Sequence, residues 1–207
     1  MKKTNRAARR KPLQPPELLK LDLGCGKNKA AGFIGVDSRA FEGVDQVVDL
    51  SARMPPVKNS ADPQAPHGGG LKPWPWADGS VGEVNCSHFV EHLKADERIH
   101  FVNELYRVLA VGGKAVITTP HWNSHRAYGD LTHQWPPVSE MWFYYVNKGW
   151  REGNAPHNDA YTCDFDVTWG YSVRPDLLVK NAEYQQHALS NFKDAAQDMV
   201  ATFVKNR

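Results

Sequence analysis

Two short apolar runs lie almost back to back: Leu21-Asp22-Leu23-Gly24-Cys25-Gly26, then Phe33-Ile34-Gly35-Val36-Asp37. The first reads as a buried strand entering a glycine turn, the second as another strand ending on a carboxylate. Only residues 27 to 32 separate them, although a parallel crossover usually takes a dozen or more residues and a helix. The pattern predicts an α/β chain whose first crossover helices are shortened. Its two adjacent strand ends would open on one crevice, because ligands in open α/β sheets sit outside the carboxyl ends of the strands, where strand order reverses. Gly24 and Gly26 would bare the backbone there, and Asp37 would face a pair of ribose hydroxyls.

A dinucleotide site needs a third glycine in G-x-G-x-x-G and an acidic residue about 20 positions on. Lys29 stands at that glycine position, and Asp37 follows Gly24 too soon. The hydrophobic-Asp-hydrophobic-Gly-Cys-Gly form of residues 21 to 26 instead resembles the first motif of the class I S-adenosylmethionine-dependent methyltransferases, in their small type 11 branch. The resemblance extends to Ser87-His88-Phe89-Val90-Glu91-His92-Leu93, to Glu104-Leu105-Tyr106-Arg107-Val108-Leu109 before Gly112-Gly113, and to Gly129-Asp130-Leu131-Thr132-His133, where Leu131 replaces an expected proline. It implies a Rossmann-like, mostly parallel seven-stranded sheet whose last strand inserts antiparallel. It also implies S-adenosylmethionine as cofactor, held by Asp22, Gly24, Cys25, Gly26, Asp37, Asp49 and Ser87.

Along the chain, strands are expected at Leu19 to Leu23, Phe33 to Asp37, Gln46 to Asp49, Val81 to Cys86, Lys114 to Thr118, Cys163 to Trp169 and Met199 to Val204. A helix should run from Ala95 to Leu109, with Ile99, Val102, Leu105 and Leu109 on its buried face, and stop at Gly112-Gly113. Pro137 to Val146 and Asn181 to Asn191 suit shorter helices. Residues 1–16 read as a disordered basic arm and 17–207 as one methyltransferase domain. Within it, 55–73 forms a proline- and glycine-rich loop insertion, and 119–161 forms a substrate or lid segment rich in histidine and aromatic residues.

Composition sets the outer limits. At 207 residues, 41% hydrophobic and 23% charged, the chain suits a single soluble domain. No apolar run is long enough for a membrane span, and no apolar leader is evident. Three widely spaced cysteines suit a reducing compartment, so cytoplasmic residence is expected. The net charge of +2 conceals six basic residues within the first eleven, which leaves about −4 on the rest. Such an arm allows weak nucleic-acid contact, although a charge run is more often only a solvated tail.

The candidate proton-handling residues are His88, His92, His121, His125, Asp130 and His133. Of these, His121, His133 and Asp130 are favoured as catalytic, since histidine titrates near neutrality; His88 and His92 suit packing roles. His121 and His125 have a spacing that can hold a metal, but no carboxylate or cysteine completes the set, so no metal is expected. Three functions compete: methyl transfer to a small-molecule or saccharide-type acceptor, methyl transfer to nucleic acid, and non-catalytic S-adenosylmethionine binding. Asn85-Cys86-Ser87-His88 lacks both the Asp/Asn-Pro-Pro-aromatic tetrapeptide of DNA amino-methylating enzymes and the Pro-Cys of C5 enzymes, so RNA is favoured over DNA. Nothing in the sequence fixes an oligomeric state.

Overall fold

The computed structural model describes residues 17–54 and 70–207; the expected arm and most of the 55–73 insertion lie outside them. Seven strands form one sheet in the order β3-β2-β1-β4-β5-β7-β6. They are β1 (Leu19–Leu23), β2 (Ile34–Asp37), β3 (Gln46–Val47), β4 (Val81–Ser87), β5 (Leu109–Pro120), β6 (Phe165–Val173) and β7 (Ala196–Lys205). All neighbours are parallel except β7, which runs antiparallel between β5 and β6. Strand order reverses between β1 and β4, which pair in register from Lys20↔Glu83 to Asp22↔Asn85. A crevice therefore opens beyond the carboxyl ends of β1, β2 and β4.

Among the described residues no helix joins β1 to β2 or β2 to β3, as the short links require. The sheet consequently has one covered face. Leu21, Leu23, Val84, Cys86, Ala115, Ile117, Met199, Ala201 and Phe203 are fully or almost fully buried. The alternate positions Lys20, Glu83, Lys114, Val200 and Val204 are half-buried or exposed, and Lys20 pairs with Glu83 at 2.9 Å. Parallel strands are usually buried on both faces; these alternate because, among the described residues, no helix covers the other face at the β1–β2 and β2–β3 links.

The covering helix α1 (Ala95–Val108) buries Phe101, Val102, Leu105 and Val108, with Ile99 only half-buried. The apolar stripe is thus rotated slightly from the expected one. The chain leaves the helix at Val108, and Leu109 already pairs with Val81 in β5. Gly112, at φ +75°, and Gly113 therefore form a bulge inside the strand rather than a helix stop. A Cβ on Gly113 would lie 2.8 Å from the Ala110 carbonyl oxygen. The expected segment 137–146 contains α3 (Glu140–Tyr145), preceded by the single turn α2 (Arg126–Gly129) and followed by α4 (Lys148–Asn154), which the sequence reading missed. Past β6, α5 (Pro175–Leu178) and α6 (Ala182–Asn191) lead into β7. No helix among the described residues is long and apolar enough to cross a membrane, and Cys25, Cys86 and Cys163 are free thiols.

Candidate active site

The glycine turn hooks onto its neighbour strand. Gly24 and Cys25 both donate their backbone N–H to the Val36 carbonyl, at 2.9 and 3.1 Å. Gly26 donates to Asp37 Oδ2 at 3.0 Å, and Arg39 N–H to Asp37 Oδ1 at 3.0 Å. Both Asp37 oxygens keep a second lone pair, and the carboxylate faces the crevice. Gly24 sits at φ +70°, and a Cβ there would lie 2.5 Å from the Phe89 ring. The missing side chain keeps the floor of the crevice open under that ring.

Two connected clefts follow, of about 150 and about 370 Å³. Gly24, Asp37, Phe89, His92 and Glu97 line the smaller; Lys72, Pro73, Trp74 and Pro75 line the larger, and Val48 and Asp49 belong to both. Asp49 Oδ1 accepts from the Ser51 backbone and hydroxyl, each at 2.9 Å. Gly24, Asp37 and Asp49, named from sequence, thus meet in one place. Asp22, 2% exposed, works beneath them: it accepts from Ala30 N–H and Asn85 Nδ2 at 2.7 Å each and so ties the glycine loop to β4. Cys25 is buried below the loop, where burial and the nearby Asp22 and Asp37 push its thiol pKa up. Gly26 supplies the amide that fixes Asp37, and Ser87 ends β4 without lining either cleft. Phe89 and Glu97 were missed because only the fold brings them to the cleft that Gly24 and Asp37 line.

The histidines divide into two groups. His121, 4% exposed, shares Nε2 with Glu140 Oε1 at 2.9 Å while its Nδ1 accepts from Asn123 N–H at 3.2 Å. Glu140 also accepts from Trp122 Nε1 and Tyr171 Oη. Burial raises the Glu140 pKa, but hydrogen bonds from His121, its own backbone and Tyr171 outweigh this and hold it at about 2. Both His121 nitrogens are therefore occupied in fastening α3 to β5 and β6. His125 turns away to Asp194 at 2.8 Å, so these two imidazoles do not share a metal.

The second group is His88, His92 and His133, gathered around Glu91. The 3-10 turn Val90–His92 follows β4 directly, and His88, at φ +52°, hydrogen-bonds through Nδ1 to Glu91 Oε1 at 3.1 Å. That bond raises the His88 pKa against its partial burial. The His92 and His133 rings meet edge to face with centroids 4.8 Å apart. Asp130, exposed and held ionised by the Thr132 amide and hydroxyl, supports the group from outside. Arg98 braces it from within: its buried guanidinium donates to the carbonyls of Val90, Glu91, Gln134 and Pro136. Neither Glu91 nor Arg98 was singled out from sequence; a charged residue amid the apolar spacing of α1 was the available signal for the latter.

The type 11 methyltransferase domain family matches residues 21–117, which span the glycine turn, the two clefts and the histidine-bearing turn. The chain is a class I S-adenosylmethionine-dependent methyltransferase. A methyltransferase from Archaeoglobus fulgidus shares its fold, at 19% identity and a TM-score of 0.54 over 91% of this chain and 86% of that one. A geranyl diphosphate methyltransferase in complex with GPP and sinefungin aligns at 14% identity and a TM-score of 0.50, over 91% and 71%. No curated protein matches.

The methyltransferase binds S-adenosylmethionine, and the crevice fits such a ligand: bare backbone at Gly24, a carboxylate for hydroxyls, and no helix amino-terminus to demand a phosphate. A separate, third cleft of about 490 Å³ is lined by Trp122, Tyr128, Trp135, Met141 and Tyr144. The aromatic residues of segment 119–161 thus split. These four rings are exposed, whereas Phe143 is core and Trp142 and Tyr145 are half-buried.

Proposed function

We propose that the protein transfers a methyl group to a small-molecule acceptor seated in the aromatic cleft, with Asp37 holding the cofactor ribose and Asp49 the adenine side. The observation that supports this reading is the juxtaposition of an open apolar cleft with polar groups at its border, the mix expected of a substrate pocket. S-adenosylmethionine supplies a methyl already activated on a sulfonium. The chain's own contribution is to seat the acceptor near the methyl in line for displacement, and to receive or direct a proton. Among the sequence candidates, His133 suits that second task better than His121, whose nitrogens are both engaged; Asp130 acts behind His92 and His133 rather than on a substrate. A small-molecule methyltransferase of the same fold, acting on geranyl diphosphate, is consistent with this class. The buried thiols agree with a cytoplasmic setting. RNA methylation through the basic arm and a purely binding role are the competing readings.

Replacing Asp37 by Ala should weaken S-adenosylmethionine binding by about 1.5 to 3 kcal/mol, as for hydrogen bonds involving a charged group. Calorimetry with S-adenosylmethionine and S-adenosylhomocysteine measures it, and equal affinities for wild type and variant would refute the placement. A tritiated-methyl assay against fractionated small molecules, saccharides and RNA then separates the acceptor classes. Label appearing only in RNA, with a steep salt dependence, would overturn the small-molecule reading.

A further inference from the structure

We propose that Glu91, His92 and His133 bind a divalent first-row metal ion beside the cofactor cleft, and that this ion takes up a hydroxyl of the methyl acceptor. The substrate part rests on the methyltransferase reading above; the metal site rests on geometry alone. One ligand atom from each of the three residues lies within 4.8 Å of the others. Bonds of about 2.0 to 2.2 Å to nitrogen and oxygen ask for only small side-chain rotations from there.

The hydrogen bonds around the two imidazoles leave the right lone pairs free. Thr132 Oγ1 donates to Asp130 Oδ1 at 2.7 Å and so is left to accept from His92 Nδ1 at 3.0 Å. His133 Nδ1 lies 3.2 Å from the Ala127 carbonyl, which can only accept. Each ring therefore carries its proton on Nδ1 and presents a bare Nε2. Metal-ligating histidines are held in this way, the far nitrogen donating to a carbonyl or to a carboxylate-linked partner. The third member, Glu91, is 4% exposed. Among the described residues its carboxylate meets Thr119 Oγ1 at 3.3 Å and His88 Nδ1 at 3.1 Å, and no Lys or Arg within ion-pair distance. The Arg98 guanidinium nearby donates to four backbone carbonyls and not to this carboxylate, so a metal ion can supply the direct charged partner that a buried carboxylate calls for.

The framework is set in advance. Gln134 N–H bonds to the Glu91 carbonyl at 2.8 Å, and Arg98 ties both segments together. Two imidazoles and one carboxylate select manganese, cobalt or zinc over magnesium and calcium. Three protein ligands leave coordination positions open, as catalytic rather than structural sites do. His92 lines the cofactor cleft, so those positions adjoin it. An acceptor hydroxyl bound there is acidified and releases its proton to water. Its oxygen then forms a bond to the methyl carbon as the sulfonium sulfur–carbon bond breaks, and that electron pair stays on sulfur as a neutral thioether. His133 is in this arrangement a ligand and not a free base.

The test titrates metal-stripped protein with cobalt(II) chloride, without cofactor or acceptor, following visible absorption, and repeats it with manganese(II) by electron paramagnetic resonance. The expected result is one saturable site per chain. Glu91→Gln should weaken it at least about tenfold. His133→Asn should do the same, because the Asn amide can still donate to the Ala127 carbonyl but offers nothing at the Nε2 position. Thr132→Val, which frees His92 Nδ1, should weaken binding about 10- to 100-fold. S-adenosylmethionine affinity measured calorimetrically on the first two variants should stay within about twofold of wild type. No saturable cobalt or manganese binding, or equal binding in the wild type and all three variants, overturns the proposal and leaves a hydrogen-bonded network only. Intact cobalt binding without any cofactor binding supports the metal site and counts against the methyltransferase reading.

Discussion

Arg98→Leu is the substitution that bears hardest on this site, though Arg98 touches neither cleft that surrounds the cofactor crevice. Its guanidinium, 6% exposed as a residue, donates to Val90 and Gln134 carbonyls at 3.0 Å, to Glu91 at 3.3 Å and to Pro136. Burial lowers its pKa and the nearby Glu91 raises it, but an arginine stays charged throughout the working range. Bonds to a charged donor are worth about 1.5 to 3 kcal/mol each. The buried carbonyls of Val90 and Glu91 keep the Leu93 and Gln134 N–H groups, at 3.3 and 2.8 Å, but each loses its charged donor, while those of Gln134 and Pro136 can turn to water. The expected loss is therefore about 3 to 5 kcal/mol, a large share of the roughly 5 to 15 kcal/mol typical of a domain. Urea denaturation followed by tryptophan fluorescence measures it. Arg98→Lys, a point charge unable to span four carbonyls, should recover less than half. A Leu variant within about 0.5 kcal/mol of wild type, with unchanged metal and acceptor behaviour, would show that the turn at 90–92 and the segment at 134–136 hold their relation without the strut.

Two further outcomes follow from geometry. Gly24→Ala should abolish measurable cofactor binding, since its Cβ meets Phe89 at 2.5 Å in a left-handed backbone. Gly24→Ala combined with Phe89→Ala should restore a folded chain that stays strained by about 1 kcal/mol, readable in Tm and calorimetry; full cofactor affinity in the single variant refutes the close approach. Glu140, a quarter exposed, is held ionised to about 2 against an ordinary 4.5, so its contribution is fully present above about pH 4.5 and lost as pH falls through about 2. That contribution is on the order of 3 kcal/mol, and Glu140→Gln should flatten the acid limb of a stability–pH curve; an unchanged limb would remove Glu140 as its source.

The strands around the crevice were legible because their signal is local. Leu21 to Leu23 and Ile34 to Asp37 are apolar runs ended by glycine or a carboxylate, and β1 falls where the sequence places it. The start of β5 was not, since Leu109 continues the helical spacing of α1 and only pairing with Val81 draws it into the sheet. The helix α4 was missed because its residues, Lys148 to Asn154, have weak propensity. It stands on the Asn147 cap and on the buried Arg151 guanidinium, which donates to the carbonyls of Tyr145 and Cys163. The carboxylates that line the crevice, Asp37 and Asp49, were readable for the same local reason as their strands. The histidine cluster was not, because His92 and His133 lie 41 positions apart in the chain and a buried arginine brings them together.

The one-sided sheet has a thermodynamic corollary. Asp37 ends β2, four residues long, and Asp49 lies just past β3, only two, and among the described residues neither strand is clamped by a crossover helix. Segments with few buried contacts open well below the free energy of global unfolding. The cofactor half is thus the loosest part of the sheet and the part the ligand itself clasps. Hydrogen exchange in β2 and β3 should slow with each tenfold rise in S-adenosylmethionine above its Kd, by about 1.4 kcal/mol of opening free energy. The ligand there takes over the stabilising role that packed helices fill in a two-sided sheet, and cofactor supply becomes a determinant of how long the chain survives proteolysis.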